Sequence, residues 1–402
     1  MSLRPDQVDS AWHLVTRVLA SDNFNSTRLR TAGFLSPAAV LDRWEEVPFT
    51  TKADLLADAQ AHPPFGSIAT EPPSQYTRFC QTSGTSTGQP LAWLDTPDSW
   101  QVLLDCWHTV FDAVGLLPGE DRIFFAFSFG PFLGFWTAFE AAAMDYLAIP
   151  SGGMSSEARL AAMLRYEATV LCCTPTYAMR LGEMLPPGTK HSIRKLIVAG
   201  EAGGSVPHTR ARLESLWGAQ VFDHHGMTEV GPVTYEDPEH PGVLKIIHRA
   251  YHAEIIDPST GQHAEEGELV LTTLLRSACP LIRYRTGDWV KAQNLHGELS
   301  LQGGILGRCD DMVVIRGVNI YPSAVDNVVR SFPEVAEYLV RRKRIDAMEE
   351  LQIEAELTPG ANPLIISQLE RKLKDTFSLR IPVTTADAGS LPRHEFKAKR
   401  WL

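Results

Sequence analysis

The feature that most constrains the fold is a regular alternation of short apolar segments with helix-like segments between residues 122 and 222. The apolar segments have the length of buried strands, and the segments between them have helical spacing. Such alternation is typical of a parallel sheet whose strands are joined by helices. The predicted strands are residues 122–127, 169–173, 195–199 and 220–222, and the predicted helices are residues 156–165, 177–185 and 209–216.

Local signals predict further elements before this region. Thr51 is expected to cap a helix over residues 54–59. A longer helix is expected to begin after Thr96, with Pro97 in its first position, and to end at Gly115. Its two tryptophans lie on one face, which is more typical of a core than of a ligand site.

After residue 253 the pattern changes to closely spaced strand candidates, at 253–256, 268–273 and 281–284, separated by turn residues. This spacing indicates an antiparallel or barrel-like part. Beyond a glycine-rich boundary at 303–308 we expect helices at 322–331 and 363–377 and a hairpin of 337–342 with 351–357. The predicted architecture is therefore α/β, with a large N-terminal domain (1–307) of parallel α/β and antiparallel or barrel-like sheets. A small α+β C-terminal domain (308–402) completes it.

The loop at residues 81–90 contains five hydroxyl side chains and two glycines. Glycines let backbone N–H groups converge into an anion-binding nest, and hydroxyl groups add donors. A flexible polar loop is the alternative, since tracts of this composition are usually that. The segment lacks the lysine-containing Walker pattern. The residues predicted to hold phosphate are Thr82, Ser83, Gly84, Thr85, Ser86, Thr87 and Gly88.

Composition excludes several classes of function. The formal charge of −11 argues against a nucleic-acid binder with a broad basic face. The six cysteines show no C-x-x-C pair and no disulfide-like spacing, and no signal-peptide pattern opens the chain. We therefore expect reduced thiols and a cytoplasmic protein. No apolar run reaches the length of a membrane span, so no membrane partner is expected.

Four further stretches carry candidate chemistry, although each alone also fits a solvated loop or tail. Glu229, after a predicted strand, is a candidate ligand for Mg²⁺, which prefers oxygen. Asp288, after a glycine turn, could accept both hydroxyl groups of a ribose. Residues 307–317 combine glycine with acidic residues where a hinge between domains would lie. Residues 391–400 form a basic segment at the end of the chain.

Together these motifs resemble those of the adenylate-forming superfamily, which contains acyl-CoA synthetases, adenylation domains and luciferases. Within it the chain is similar to the phenylacetate–CoA ligase group. The resemblance extends from about residue 47 to residue 399, and the motifs occur in the family's order. It is closest in residues 173–177, 281–288 and 307–322.

The resemblance implies a role for each motif. The loop 82–88 would hold the β- and γ-phosphates of ATP, Thr228 would touch the α-phosphate, and Glu229 would bind Mg²⁺. Asp288, assisted by Arg308, would hold the ribose; Asp310 would be the hinge, and Lys397 the catalytic lysine of a mobile domain. The segments that would hold adenine and the acyl group are Gly200, Glu201, Ala202 and Gly203, and Asp223, His224, His225, Gly226 and Met227.

Several positions depart from the family pattern. The phosphate loop is one residue longer than usual, and Gln89 stands where relatives often carry lysine. His225 replaces a tyrosine, and Phe396 precedes Lys397 where glycine is common, so Lys399 is the alternative catalytic lysine. Relatives can carry a zinc site after the Glu229 segment. Here that region contains Asp237, Glu239, His240, His248 and His252. Zinc would accept His248 and His252 as nitrogen ligands, but hydrogen-bonded or surface histidines are the favoured interpretation.

The expected substrate is an aromatic or other apolar carboxylic acid. Phe129, Phe132 and Tyr177 are the predicted walls of an apolar pocket, with core packing as the alternative. No aspartate that could pair with an amino acid's ammonium group occurs between residues 123 and 135. The predicted reaction is ATP-dependent formation of an acyl-adenylate and transfer to coenzyme A. The sequence leaves open transfer to the phosphopantetheine of an acyl carrier protein as the alternative reaction. A non-catalytic nucleotide-binding protein and assembly as a homodimer also remain open.

Overall fold

The structure is a computed structural model. It describes residues 3–82, 89–186, 188–309, 311, 313–315, 318–345, 348–392 and 400–402. The predictions for Ser83 to Gly88, Asp310, Lys397 and Lys399 lie outside these described residues.

The chain begins with a helical region and a two-stranded ribbon. The helices are α1 (Val8–Leu19), α2 (Phe24–Thr31), α3 (Pro37–Asp42) and α4 (Lys52–Ala61), and the strands are β1 (Arg78–Gln81) and β2 (Ala92–Asp95). The Thr51 hydroxyl accepts a hydrogen bond from Asp54 N at 3.2 Å, so the predicted cap of α4 is confirmed. The long helix α5 (Pro97–Val114) starts after Thr96 and ends at Gly115, whose φ is +68°, as predicted.

The predicted parallel sheet is present. Its strands are β3 (Arg122–Phe125), β4 (Leu147–Pro150), β5 (Val170–Cys173), β6 (Lys195–Ala199) and β7 (Gln220–His224), in the order β4-β3-β5-β6-β7. All neighbouring pairs are parallel. The connecting helices are α6 (Trp136–Asp145), α7 (Ser156–Arg165), α8 (Pro175–Met184) and α9 (Pro207–Trp217).

Alternate residues along these strands are buried in two separate apolar clusters. Ile123 and Phe125 pack with residues of α5 and α6 on one face. Phe124 packs with residues of α7, α8 and α9 on the other face. Because both faces are covered, the strands are apolar throughout, as is usual for parallel sheets. Their carboxyl ends lie at one edge, and this edge carries the candidate site.

An antiparallel region follows. Short strands β8 (Gly226–Met227) and β9 (Gly231–Pro232) form a hairpin. The larger sheet contains β10 (Thr234–Glu236), β11 (Val243–Ile246), β12 (Tyr251–Ile256), β13 (Glu266–Thr273), β14 (Tyr284–Leu295) and β15 (Glu298–Gln302), with β16 (Gly307–Arg308) paired to β14. Strands β4, β10, β11 and β15 were not predicted from the sequence.

The predicted strand at 281–284 is wrong, because β14 starts only at Tyr284. Arg283 has a φ of +47°, which breaks an extended strand. Its guanidinium holds Glu254 at 3.0 Å and donates to the carbonyls of Glu45 and Val47 at 2.7 Å. These contacts to distant residues stabilise a backbone conformation that local sequence does not predict.

The remaining residues form their own apolar cluster. Their elements are β17 (Val313–Ile315), β18 (Val318–Ile320), α10 (Pro322–Arg330), β19 (Val335–Ile345), β20 (Met348–Leu357), α11 (Leu364–Phe377) and β21 (Val383–Ala386). β19 and β20 form the predicted hairpin, and β21 adds a parallel strand. Tyr321 stacks on Trp289 of β14 with ring centroids 5.6 Å apart. Among the described residues, no helix combines the length and apolar character needed to cross a membrane.

Candidate active site

The loop after β6 approaches the start of α8. Glu201 Oε1 accepts a hydrogen bond from Thr176 N at 2.8 Å. A Cβ at Gly203 would lie 2.5 Å from Pro175 Cβ, so only glycine allows this approach. Gly200 and Ala202 are exposed at the same strand end. The loop predicted to contact the nucleotide is thus fixed against the neighbouring strand-helix junction and faces the carboxyl edge of the sheet.

Asp223, at the end of β7, belongs to a buried polar cluster. Its Oδ2 accepts a hydrogen bond from Ser205 Oγ at 2.5 Å, and its backbone N–H donates to Glu236. Arg210 pairs with Glu236. Burial raises the pKa of Asp223 to about 6, and the charge of Glu236 adds to this rise. In these contacts Asp223 holds the loop after β6; direct contact with the nucleotide stays a prediction.

The two histidines that follow have different environments. His224 is buried against Trp107, with ring centroids 4.4 Å apart, and its Nδ1 lies 2.6 Å from Thr234 O. Burial lowers its pKa to about 3, so it is neutral and Nδ1 is the donor. His225 faces the site instead, with Nε2 3.2 Å from Asp288 Oδ2.

Asp288 is the second buried carboxylate of the site. Arg308 Nη1 donates to its Oδ1 at 3.0 Å. Although burial raises the pKa of Asp288, His225 and Arg308 outweigh this effect, and the pKa lies below its ordinary value. His225 Nε2 and Asp288 Oδ2 are close enough to attract but are not aligned for a hydrogen bond. Both atoms are buried without a hydrogen-bond partner among the described residues.

Thr228 and Glu229 occupy the turn of the β8–β9 hairpin. A Cβ at Gly226 would lie 2.7 Å from Gly231 O, so the hairpin is too tight for a side chain there. Arg276 Nη1 donates to the carbonyls of Thr228 and Glu229 at 3.0 and 3.1 Å. Met227 lies in β8, partly buried against the apolar core.

Arg276 is itself fixed by Asp95. The two side chains form two hydrogen bonds, of 2.8 and 2.6 Å, and each is 1% exposed. Paired, bidentate geometry of this kind is what a buried guanidinium requires. Asp95, at the end of β2, therefore positions the Thr228–Glu229 turn through Arg276.

Glu229 is 4% exposed and has two neighbours at its Oε1. Lys52 Nζ and the Tyr284 hydroxyl each lie 3.4 Å from this oxygen. Lys52, the first residue of α4, thereby brings a positive charge to the predicted metal ligand. The second oxygen, Oε2, has no hydrogen bond or ion pair among the described residues.

Thr82 is the described end of the predicted phosphate loop. Its N–H donates to Leu91 O and its hydroxyl accepts from Leu91 N, both at 2.9 Å. These bonds close the base of the loop. Gln89, near the other end, accepts a hydrogen bond from Gln60 at 2.8 Å.

The three predicted pocket residues are not equivalent. Phe129 packs in an aromatic group, with ring centroids 4.3 Å from Phe127 and 4.6 Å from Trp136. Phe132 is 44% exposed. Tyr177 is buried, and its hydroxyl lies 3.0 Å from Ser156 Oγ. Phe129 and Tyr177 both follow strands of the parallel sheet, as the predicted pocket requires. Their roles as substrate walls stay predictions.

The two candidate zinc ligands have other partners. His248 Nε2 lies 3.1 Å from Leu299 O, and His252 Nδ1 lies 3.1 Å from Gln7 Oε1. In the described part of the chain, no three His, Cys, Asp or Glu side chains are grouped so that they could hold a metal ion.

Four residues of the site were not predicted from the sequence: Lys52, Asp95, Arg276 and Tyr284. Arg276 offered one signal, since it interrupts an apolar segment and a buried cation needs a carboxylate partner. Nothing local identifies Asp95 as that partner, because 181 positions separate the two residues.

Known proteins resemble this chain over most of its length. The family profile described as "AMP-binding enzyme" matches residues 42–274, and that of the "AMP-binding enzyme C-terminal domain" matches residues 317–402. The phenylacetate–coenzyme A ligase of Thermus thermophilus is 30% identical, over 88% of this chain and 85% of that protein. The phenylacetate–coenzyme A ligase of Escherichia coli is 29% identical, over 88% and 83% of the two chains.

Solved structures show the same fold. A 2-hydroxyisobutyryl-CoA ligase in its postadenylation state, with 2-HIB-AMP bound, superposes with a TM-score of 0.90 and 26% identity. The alignment covers 98% of this chain and 88% of that one. The same ligase in its thioesterification state, with 2-HIB-AMP and CoA, gives a TM-score of 0.70.

The chain belongs to the AMP-binding enzymes, the adenylate-forming superfamily. Within this family it falls in the phenylacetate–CoA ligase-like group, and it is an acid–thiol ligase. The predicted family, fold class and enzyme class are thereby confirmed.

Proposed function

We propose that this protein activates an aromatic or other apolar carboxylic acid with ATP and transfers the acyl group to coenzyme A. One observation carries the proposal: His225 lies 3.2 Å from Asp288. This contact joins the hairpin that carries Thr228 and Glu229 to the carboxylate predicted to hold ribose. It supports the proposal that motifs far apart in the sequence act in one site.

The described residues fit the groups that the reaction needs. Asp288 Oδ2 is a buried acceptor without a hydrogen-bond partner among the described residues, and a ribose hydroxyl can donate to it. Glu229 Oε2 is an oxygen ligand of the kind that Mg²⁺ prefers, and Mg²⁺ commonly takes one or two carboxylates plus substrate phosphates. When bound, Mg²⁺ neutralises charge on the phosphates.

The residues of this chain then have distinct tasks. Attack of a carboxylate on the α-phosphorus brings two anions together, so positive charge must be placed where negative charge accumulates. Lys52, beside Glu229, contributes one cation from the large domain. Lys397 would contribute a second, which a movable C-terminal domain (308–402) could withdraw before the thiol enters. The two TM-scores support such a movement, because one relative superposes well in one state and less well in another.

The aromatic group around Phe129 supports an apolar acid. Phe127, Phe129 and Trp136 follow β3 at the carboxyl edge, where a parallel sheet binds its ligands. Coenzyme A is the proposed acceptor because the phenylacetate relatives are named coenzyme A ligases. Formation of a thioester with free CoA, rather than loading of a carrier protein, distinguishes the two acceptors.

Pyrophosphate release with a panel of aryl, fatty and amino acids tests the proposal. We expect aryl acids to give the highest kcat/KM, and no release with any acid would refute adenylation. The matched test is Lys397→Ala, with Lys399→Ala as control. We expect Lys397→Ala to suppress adenylate formation far more than thiol attack on preformed adenylate. Equal loss in both half-reactions, or a larger effect of Lys399→Ala, would remove this role from Lys397.

A further inference from the structure

A polar cavity of about 250 Å³ opens at the carboxyl edge of the parallel sheet. Ser128 follows β3, Ser155 and Ser156 follow β4, and Tyr177 follows β5. Strands β4 and β5 lie on opposite sides of β3, so the cavity lies where the strand order reverses. Ligands of open parallel sheets bind at such switch points.

Arg159 supplies the cavity with a buried positive charge that has no carboxylate partner among the described residues. Arg159 lines it and is 5% exposed. Within the described residues, its hydrogen bonding is limited to one bond, from Nε to Ser151 O at 3.2 Å. Its guanidinium lies 5.2 Å from the centroid of the Tyr177 ring. The ring attracts the cation, but it cannot accept the terminal N–H groups as an oxygen does.

The other buried arginines show what is unusual here. Arg276 and Arg283 are 1% and 2% exposed, and each forms two hydrogen bonds with a buried carboxylate. Buried charges are normally paired in this way, because an unpaired one loses its solvation. Arg159 instead directs its charge to a polar cavity that also contains Arg180.

The acidic residue of the cavity does not compensate Arg159. Glu157 is exposed and lies in the first turn of α7. Its own backbone N–H and the Ser155 hydroxyl lower its pKa, and the charge that adds to this effect is that of Arg180. Glu157 therefore interacts with Arg180 and not with Arg159.

We propose that this cavity binds an oxyanion, a carboxylate or phosphate, through Arg159 and Arg180, with serine hydroxyls as further donors. The inference rests on the proposed function, because that reaction supplies two sources of such a group. One source is a second carboxylate on the acid substrate; the other is a phosphate of coenzyme A. Either group would form charge-assisted hydrogen bonds with the fork of a guanidinium.

Calorimetric titration of the full chain tests the site without requiring turnover. Coenzyme A is compared with pantetheine, which carries the thiol but no phosphate, and dicarboxylic acids are compared with matched monocarboxylic acids. The variants are Arg159→Lys, which keeps the charge but loses the fork, and Arg180→Gln. The control is Arg165→Gln, at the exposed end of α7, the helix that also contains Arg159.

Two ratios of affinity are measured: CoA over pantetheine, and dicarboxylic over monocarboxylic acid. We expect both variants to reduce one of these two preferences by about tenfold or more, as loss of a charge-assisted hydrogen bond predicts. A change confined to the CoA pair identifies phosphate, and one confined to the acid pair identifies a substrate carboxylate. Unchanged preferences in folded variants would overturn the site. If Arg159→Lys does not fold, Arg180→Gln alone decides. Failure of the proposed function would appear separately, as absence of pyrophosphate release by the unmodified chain.

Discussion

Arg276 links the stability of the protein to the position of Thr228 and Glu229, and the two effects can be separated. In Arg276→Met, Asp95 stays buried at 1% exposure without its partner. Breaking a buried ion pair by removing one member costs about 3–5 kcal/mol in the free energy of unfolding. The double variant Asp95→Leu with Arg276→Met removes both charges, and exchange of a buried pair for apolar groups is often nearly neutral. We therefore expect it to recover most of the lost stability.

Activity should respond differently. Both variants lack the hydrogen bonds of 3.0 and 3.1 Å from Arg276 to the carbonyls of Thr228 and Glu229. A displacement of about 1 Å in a positioned catalytic group can cost about a hundredfold in rate. We expect a loss of this order in pyrophosphate exchange for the single and the double variant, measured where each is folded. Urea unfolding and exchange are assayed on the same preparations.

The refuting result is recovery of exchange together with stability in the double variant. That outcome would show that Arg276 supports only the fold and that the turn holds its position without it. Lys291→Met, an exposed cation of β14, serves as the control for general effects of charge removal.

Three further outcomes follow from the site. Glu229→Gln should weaken the Mg²⁺ dependence of pyrophosphate release, because the amide is a poorer metal ligand; an unchanged Mg²⁺ titration would exclude Glu229 as the ligand. Lys52→Met removes a positive charge beside Glu229 and should raise the KM for ATP about tenfold, which corresponds to about 1.4 kcal/mol of binding free energy. The control Lys190→Met, at an exposed position, should leave the KM unchanged. Asp223→Asn should change the pH dependence of stability: folding raises this pKa to about 6, so the contribution of Asp223 is present at low pH and lost as pH rises through about 6. Over that rise in pH, the free energy of unfolding of the unmodified protein should fall by about 2–3 kcal/mol relative to that of the Asn variant. Parallel curves of stability against pH, measured by urea unfolding, would contradict this expectation.

Local sequence was sufficient for the elements that depend on local interactions. The helix α7 and the strand β6 have the predicted bounds, and Thr51 and Thr96 cap helices as expected. These features depend on apolar periodicity and on hydrogen bonds between residues three apart. Because ligands bind where parallel strands end, the loop positions after β6 and β7 also followed from the sequence.

The tertiary structure decided which distant side chains meet. Asp95 and Arg276 are joined only because the turn after β13 approaches the end of β2. Tyr284 and Lys52 contact Glu229 from different parts of the chain. No periodicity encodes such contacts, since they depend on how sheets and helices pack.

The sequence by itself determined the parallel sheet, its helices, the family motifs and the loops that carry them. Only the tertiary structure brought His225 to Asp288 and placed Arg283 in a left-handed conformation that starts β14 late. It also buried Arg159 with no carboxylate partner in the described part of the chain. The physical reason is the sequence separation over which each interaction acts. Caps and periodicity act over a few residues, whereas the pairing of buried charges depends on the whole fold.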